Sequence, residues 1–444
     1  MKYCNKCVTP ETAETNIFGK DGTCSVCKQI DVKSEINWKN RSKDLDKIIQ
    51  IYKDKYEYDC IVPFSGGKDS TFALWYLVKE KKLRPLVVRF DHNFLRRTIN
   101  ENTEKTLGKL GVDFINFKPD FEIVKKMMFE SLFRRGDFCW HCHVGITAFP
   151  INTAIKRNIP LLFYGEPSAE YSSFYTYDEI EELNVEKFNR SVNLGINAED
   201  MLEMLKERYP KENFNKNIIE PYIFPTQREI FKNNIKAIYL GNYIPWDVRE
   251  QVKIIKSELG WKGDEVEGIP KNYDYEKIEC MMQGVRDYIK YLKRGFGRTS
   301  HLTSIDIRNK RMKREEAEEL VSIYDGKKPK SLDLFLEILN LSENDFYKII
   351  KTHVVSPFKM PDINTLKSNI SNKIPHDYED WLKKFQSRFK KYLGTSGNAY
   401  NHGVTNNNGG NNTKQGLGPQ TSFTQTNANE NEEVRKSELQ SLRQ

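Results

Sequence analysis

The chain has 444 residues, with 70 basic and 62 acidic side chains, a formal charge of +8 and 38% hydrophobic residues. That length supports about two or three domains and a sizeable core, while the near balance of charge suits anionic ligands and falls well short of a dedicated nucleic-acid binder. No apolar run approaches the roughly 18 residues of a membrane span, and MKYCNKC has no signal-peptide core, so a cytoplasmic protein without membrane insertion is expected.

At the N-terminus, Cys4-x-x-Cys7 and Cys24-x-x-Cys27 are separated by sixteen residues. Two such pairs have the spacing of a zinc ribbon, in which four thiolates hold one tetrahedral Zn²⁺ and leave no position open for catalysis. Residues 1–30 are read as this ribbon and 31–58 as a helical linker.

The string YDCIVPFSGGKDSTFALWYLVKE, 58–80, runs from a short apolar strand into a helix-patterned segment. Between them, Gly66 and Gly67 allow close backbone approach, so that successive N–H groups and a helix N-terminus can face one phosphate. Lys68 adds a full charge, and Ser65 and Ser70 add hydroxyls. The Walker A spacing does not fit. The string resembles the pyrophosphate loop (PP-loop) of the ATP pyrophosphatases, the superfamily of GMP synthetase, asparagine synthetase and the tRNA thiolases. The resemblance implies that Ser65, Gly66, Gly67, Lys68, Asp69 and Ser70 bind ATP and receive its departing pyrophosphate, with Lys68 and Asp69 in catalytic roles.

Strand and helix patterns then alternate: LRPLVVRFDHN (strand to about Asp91), a helix through NENTEKTLGKLG, the strand VDFINFKP, a helix behind FCWHCHVGITAF (138–149), and the strand IPLLFYGE (159–166). This alternation predicts an α/β fold with a parallel sheet covered on both faces. Ligands bind such sheets at the strands' carboxyl ends, which groups the SGGKDS turn, the Arg89-Phe90-Asp91-His92 end and the Gly165-Glu166 end in one pocket. Arg89 and Asp91 are candidate nucleotide contacts. Glu166 is a candidate Mg²⁺ ligand or general base, against a plain helix cap or surface acid. Cys139, His141, Cys142 and His143 leave three readings open: a second metal or iron–sulfur site, a reactive thiol, or the lining of a substrate pocket.

Residues 171–235 are read as an insertion over the pocket and KAIYLGNYIPWD (236–247) as the last strand, closing a nucleotide domain of 59–250. Helix patterns follow at 247–259, 275–294, 313–325 and 331–339, with RGFGRTSHL between the second and third, and RNKRMKREEAEEL (308–320) is read as one solvated helix. Residues 270–393 form the expected helical domain. Past 393 the composition turns to Asn, Gly, Thr and Gln, and 394–444 is expected to be disordered.

From the ribbon through SGGKDS, CWHCHVGI and YGEPSAEY to IDIRNKRMKREEAEELVSIYDG, the chain resembles the N-acetyl sugar amidotransferases of surface polysaccharide synthesis. The resemblance implies a sheet of the adenine nucleotide alpha hydrolase (PP-loop) type and an activity that uses ATP and Mg²⁺. ATP would adenylylate the N-acetyl oxygen of a nucleotide-linked sugar, and ammonia would displace AMP to leave an acetamidino group. No N-terminal nucleophilic cysteine or C-x-G elbow of a glutaminase is found, so a separate glutaminase subunit is the expected partner. The alternatives are a tRNA 2-thiolation enzyme, in which Cys139 and Cys142 would hold a cluster or carry sulfur with Cys280 as the remaining candidate, and a nucleotide-sensing module without chemistry.

Overall fold

The structure is a computed structural model and describes residues 1–170 and 175–366, without the side chains of Arg190 and Ser191. The expected disordered tail, the last part of the helical region (367–393) and the start of the 171–235 segment lie outside the described residues. After the N-terminal cysteine segment come α1 (Ser25–Glu35), α2 (Trp38–Tyr52), β1 (Cys60–Pro63), α3 (Lys68–Trp75), β2 (Pro85–Phe90), α4 (Arg97–Leu110), β3 (Asp113–Phe117), α5 (Phe121–Arg135), α6 (Trp140–Arg157) and β4 (Leu161–Tyr164). They are followed by α7 (Val185–Lys187), α8 (Ala198–Arg208), α9 (Gln227–Lys232), β5 (Lys236–Tyr239) and α10 (Val248–Leu259). The C-terminal helices are α11 (Gln283–Arg294), α12 (Arg298–Arg308), α13 (Arg314–Tyr324), α14 (Ser331–Leu339) and α15 (Glu343–Lys351).

All five strands are parallel, in the order β3-β2-β1-β4-β5. Successive side chains point to opposite faces of a strand. Cys60, Val62, Val87, Leu161, Phe163 and Ile238 therefore pack on one face with residues of α2, α3, α4 and α10. Ile61, Leu86, Val88 and Leu162 pack on the other, against Ile151 and Ala154 of α6. The chain winds outward from β1 to β3 and then returns to place β4 on the other side of β1. This reversal opens a crevice at the carboxyl end of β1, where ligands bind in such sheets, and the SGGKDS turn sits there.

Residues of the 175–235 segment bury Ile196, Met201, Leu202, Leu205, Phe214 and Tyr222 against Trp140 and Val144 of α6 and Met127 of α5. Much of the segment thus forms an outer layer over these helices. Trp140 Nε1 donates to the Ile196 carbonyl at 2.9 Å and fixes that layer to the start of α6.

The C-terminal half departs from the helix pattern in three places. Only 283–294 of the expected 275–294 helix is helical. In the preceding residues the backbone bonds outward instead: Cys280 bridges to Leu95, and Met281 N–H donates to the Phe94 carbonyl at 3.0 Å. RGFGRTSHL was expected to connect helices, but Arg298 begins α12. The string 308–320 is split, with α12 ending at Arg308 and α13 starting at Arg314. No side chain near the start of α12 gave it away, because its cap comes from far along the chain. Asp325 accepts from the Gly297, Thr299 and Ser300 N–H groups at 2.7, 3.0 and 3.3 Å, and from the Ser300 hydroxyl at 2.6 Å.

Asp325→Ala leaves those donors without an acceptor, which is expected to lower stability by about 1–3 kcal/mol in denaturant titration. Asp325→Asn, which keeps one acceptor oxygen, should lose less.

Candidate active site

Gly66 has φ +82°, and a side-chain carbon there would lie 2.9 Å from Thr103 Oγ1 and 3.0 Å from Ile99 of α4, so the turn requires glycine on both counts. The turn also braces itself. The Ser65 hydroxyl accepts from Gly67 N–H and lies within hydrogen-bond distance of the Ser70 hydroxyl, both at 3.2 Å. The Ser70 hydroxyl accepts from Ser65 N–H at 3.2 Å. Gly67 is the residue before α3, so the free N–H groups of this helix start open at the turn.

The 261–280 segment closes over the turn from the C-terminal side. Trp261 Nε1 donates to the Gly66 carbonyl at 3.1 Å. Glu279 reaches the Ser65 hydroxyl at 3.5 Å, and its carboxylate occupies the space where Gly67 has no side chain. Lys68 is 4% exposed and pairs with Asp69 at 2.7 Å and with Glu276 at 3.1 Å. Burial works against its charge, but Asp69, Glu276 and Glu166 more than reverse that and hold the ammonium well above its ordinary range. Glu276 is itself held well below the usual carboxylate range: burial raises it, and Lys68, Lys277 and Arg298 outweigh the burial.

Glu166, at the end of β4, joins the same cluster. Burial and the Asp69 carboxylate push it up to about 8, against the pull of Lys68 and Lys277. Asp69 Oδ1 is buried without a hydrogen-bond partner. An orphaned carboxylate oxygen beside a second carboxylate that repels it is a donor set suited to a divalent cation.

The β2 end is engaged differently. Arg89 donates from Nε to Asn116 at 2.8 Å and from Nη1 to Thr103 at 3.2 Å, and lies over the Phe114 ring. It thus ties β2 to β3 and α4, just behind Gly66. Asp91 accepts from Asn93 N–H at 2.8 Å and shapes the turn that carries His92.

Cys139, His141, Cys142 and His143 open α6. Burial lowers His141 to about 3 and His143 to about 4, so both imidazoles are neutral. Cys142 is raised by burial and then by Cys280, and Cys139 by burial, Asp137 and more weakly by Cys142 and Cys280. The bridge between Cys280 and Leu95 therefore brings the third thiol to the pair. Among the described residues only the ribbon brings three or more metal-ligand side chains within 4.8 Å of one another, so these three thiols are neighbours without closing around a single ion.

In the ribbon, Cys4, Cys7, Cys24 and Cys27 are buried together, with 3.9 Å between the sulfurs of Cys4 and Cys27 and of Cys7 and Cys24. A tetrahedral ion with metal–sulfur bonds of about 2.3 Å separates its ligands by about 3.8 Å, so the group fits one metal ion. Cys24 N–H and Lys6 N–H point at Cys4 Sγ at 3.2 and 3.3 Å, which stabilises a thiolate. Arg314 of α13 donates to the Cys7 carbonyl at 3.0 Å and also to that of Cys4.

Glu276, Lys277, Glu279, Arg298 and Trp261 were missed from the sequence. The segment YDYEKIEC reads as the start of a helix, and a buried carboxylate there looks the same as a surface one. Lys277 at φ +51° is a rare conformation for its residue type and marks the break.

Residues 267–362 match the family described as the C-terminal domain of LPS biosynthesis protein WbpG-like proteins. An uncharacterized protein of Methanocaldococcus jannaschii is 30% identical over 142 residues, 31% of this chain, and the match spans 50% of that protein's length. A structure of the U34-tRNA thiolase NcsA from Methanococcus maripaludis with its [4Fe-4S] cluster aligns over 82% of this chain and 99% of that one. Its identity is 13% and its TM-score 0.26, a likeness too low to carry an argument. Among the described residues no helix is long and apolar enough to cross a membrane.

Native Glu166 keeps a proton that the unfolded chain, with an ordinary value of about 4.3, has released. The native state binds more protons in this window, so its stability falls as pH rises from about 4.5 through about 8. Without nucleotide or divalent cation, Glu166→Gln is expected to melt with the wild type at pH 4 and above it at pH 9. Elemental analysis is expected to find about one metal ion in the wild type and none in Cys24→Ser, which should also melt earlier, because a structural site contributes folding free energy.

Proposed function

We propose that this chain is the synthase subunit of an ATP-dependent amidotransferase, a carbon–nitrogen ligase forming AMP and pyrophosphate, that converts the N-acetyl group of a nucleotide-linked sugar into an acetamidino group. The observation that carries this is Lys68, buried in a phosphate-shaped turn and surrounded by Asp69, Glu276 and Glu166. The similarity of 267–362 to the WbpG-like domain supports a place in lipopolysaccharide synthesis, since that stretch supplies Glu276, Glu279 and Arg298.

The amide oxygen attacks the α-phosphate of ATP, the bond between the α-phosphorus and the bridging oxygen breaks, and pyrophosphate leaves into the turn. Lys68 and the free N–H groups at the start of α3 stabilise the charge that develops on it. The resulting O-adenylyl imidate has a good leaving group. Ammonia adds to the imidate carbon, AMP departs with the former amide oxygen, and the amidine remains. Glu166 in its ionised form, which is populated as pH approaches about 8, takes the proton that the attacking ammonia must lose. Mg²⁺, which Asp69 would hold together with ATP, would supply charge neutralisation for the phosphates. The ribbon takes Zn²⁺ in a structural role, since all four of its positions are thiolates. Ammonia comes from a separate glutaminase subunit, and the reaction belongs in the cytoplasm, where nucleotide sugars and ATP meet.

The approach of Cys280 to Cys139 and Cys142 favours a second reading, a tRNA 2-thiolation enzyme whose three thiols hold an iron–sulfur cluster. The two readings separate in one assay. Purified chain given ATP, ammonium and UDP-N-acetyl sugars is expected to replace oxygen by NH, detected by mass spectrometry, faster as pH rises and neutral ammonia increases. Glutamine alone should be inert until a glutaminase is added. Sulfur incorporation into tRNA, lost in Cys280→Ser, would establish the second reading instead.

A further inference from the structure

Helix α11 buries Val285, Tyr288, Ile289 and Leu292. Arg286, Lys290 and Lys293 fall at i, i+4 and i+7 on another stripe and are each half-buried. None of the three forms an ion pair among the described residues, and Arg286 Nε is buried without a hydrogen-bond partner. Lys290 rests on the Phe296 ring at 4.1 Å. Burial, with Arg298 adding repulsion, lowers Lys290 to about 8, and burial also lowers Lys293. Side chains that are partly accessible yet shielded in this way line a recess rather than a convex surface.

Charge in the recess is not balanced. Arg286, Lys290, Lys293, Arg294 and Arg298 are met by Glu14, Asp137 and Asp287. Glu276 is shared between Arg298, at 3.5 Å, and Lys68, at 3.1 Å. The recess stays net positive, and the row that no carboxylate pairs with directly is the part that a diphosphate diester would neutralise. The stripe is about 10 Å long at 1.5 Å per residue, more than one phosphate needs. Lys277 lies close enough to act on both Glu166 and His143, and Arg286 acts on His143, so the row and the PP-loop site share one electrostatic neighbourhood.

We propose that Arg286, Lys290 and Lys293 bind the diphosphate of the second substrate, a nucleoside diphosphate-linked N-acetyl sugar, and hold it with the sugar's acetamido group directed past Lys277 to Glu166. This rests on the amidotransferase reading and names the residues that recognise its substrate. Arginine and lysine engaging phosphate oxygens make charge-assisted hydrogen bonds, and the unneutralised row is the part of this surface that gains most from a dianion.

The test is calorimetric titration of the full chain with UDP while a nonhydrolysable ATP analogue saturates the PP-loop. Wild type is expected to bind UDP, and the Arg286→Met, Lys290→Met double variant to bind it about tenfold or more weakly. ATP-analogue affinity should be unchanged, and the KM for the nucleotide sugar should rise with kcat kept. Lys290→Arg should retain most of the affinity. Because burial and Arg298 disfavour the Lys290 charge, Lys290→Met alone should melt no earlier than the wild type while also weakening UDP binding. Absence of UDP binding in the wild type, equal UDP affinity in the variant, or a loss confined to tRNA binding would overturn the proposal. If UDP binds through these residues but no acetamido group is converted, the amidotransferase reading fails and the anion site stands. If conversion proceeds with an unchanged KM in the variant, the reverse holds.

Discussion

One buried ammonium organises this site. Lys68 stands among Asp69, Glu276 and Glu166, and its charge is what allows three carboxylates to share a region screened from water. Two of the carboxylates come from the sheet half and the third from the segment ahead of α11. The phosphate turn is therefore completed only when the C-terminal half is folded against it. Trp261 on the Gly66 carbonyl and Glu279 over Gly67 add to the same closure. The turn by itself has the form of a general phosphate cradle, and the C-terminal cover makes it particular to this chain.

The same cluster would set the electrostatics of the proposed reaction. Even with Glu166 protonated, Asp69, Glu276 and Glu279 outnumber Lys68 and Lys277, so the polyphosphate of ATP would meet an acidic site unless it arrives with a divalent cation. The orphaned Asp69 oxygen and the proton-retaining Glu166 are what such a cation would relieve. Positive charge in excess is found instead along α11. On the account proposed here, this division of charge keeps the two phosphorylated substrates apart: the metal-bearing nucleotide lies over the turn, and the nucleotide sugar reaches in from the basic recess.

Much of this was legible in the sequence, and the limits have physical reasons. The strands were recognisable because short apolar runs alternate with helical periodicity, and SGGKDS because a phosphate turn needs glycine, lysine and hydroxyls in fixed order. The ribbon was recognisable from cysteine spacing alone. Glu276 and Glu279 were not, since their segment has helical composition but spends its backbone hydrogen bonds on the loop after β2. The start of α12 was hidden because Asp325, its cap, lies just past the end of the next helix, α13, and reaches back only in the folded chain. Arg89 and Asp91 were placed at the right end of the sheet by the strand pattern, but their hydrogen bonds bind the scaffold around the turn. The approach of Cys280 to Cys139 and Cys142 had no sequence spacing to announce it.

The central claim is that the amide oxygen of the sugar becomes an oxygen of AMP. The direct measurement is turnover with the acetamido oxygen labelled with ¹⁸O, followed by mass spectrometry of the nucleotide products. The account predicts that AMP and pyrophosphate form together, with the label in the AMP phosphate and none in pyrophosphate. Formation of ADP and phosphate, or AMP that carries no label while the amidine accumulates, would contradict it.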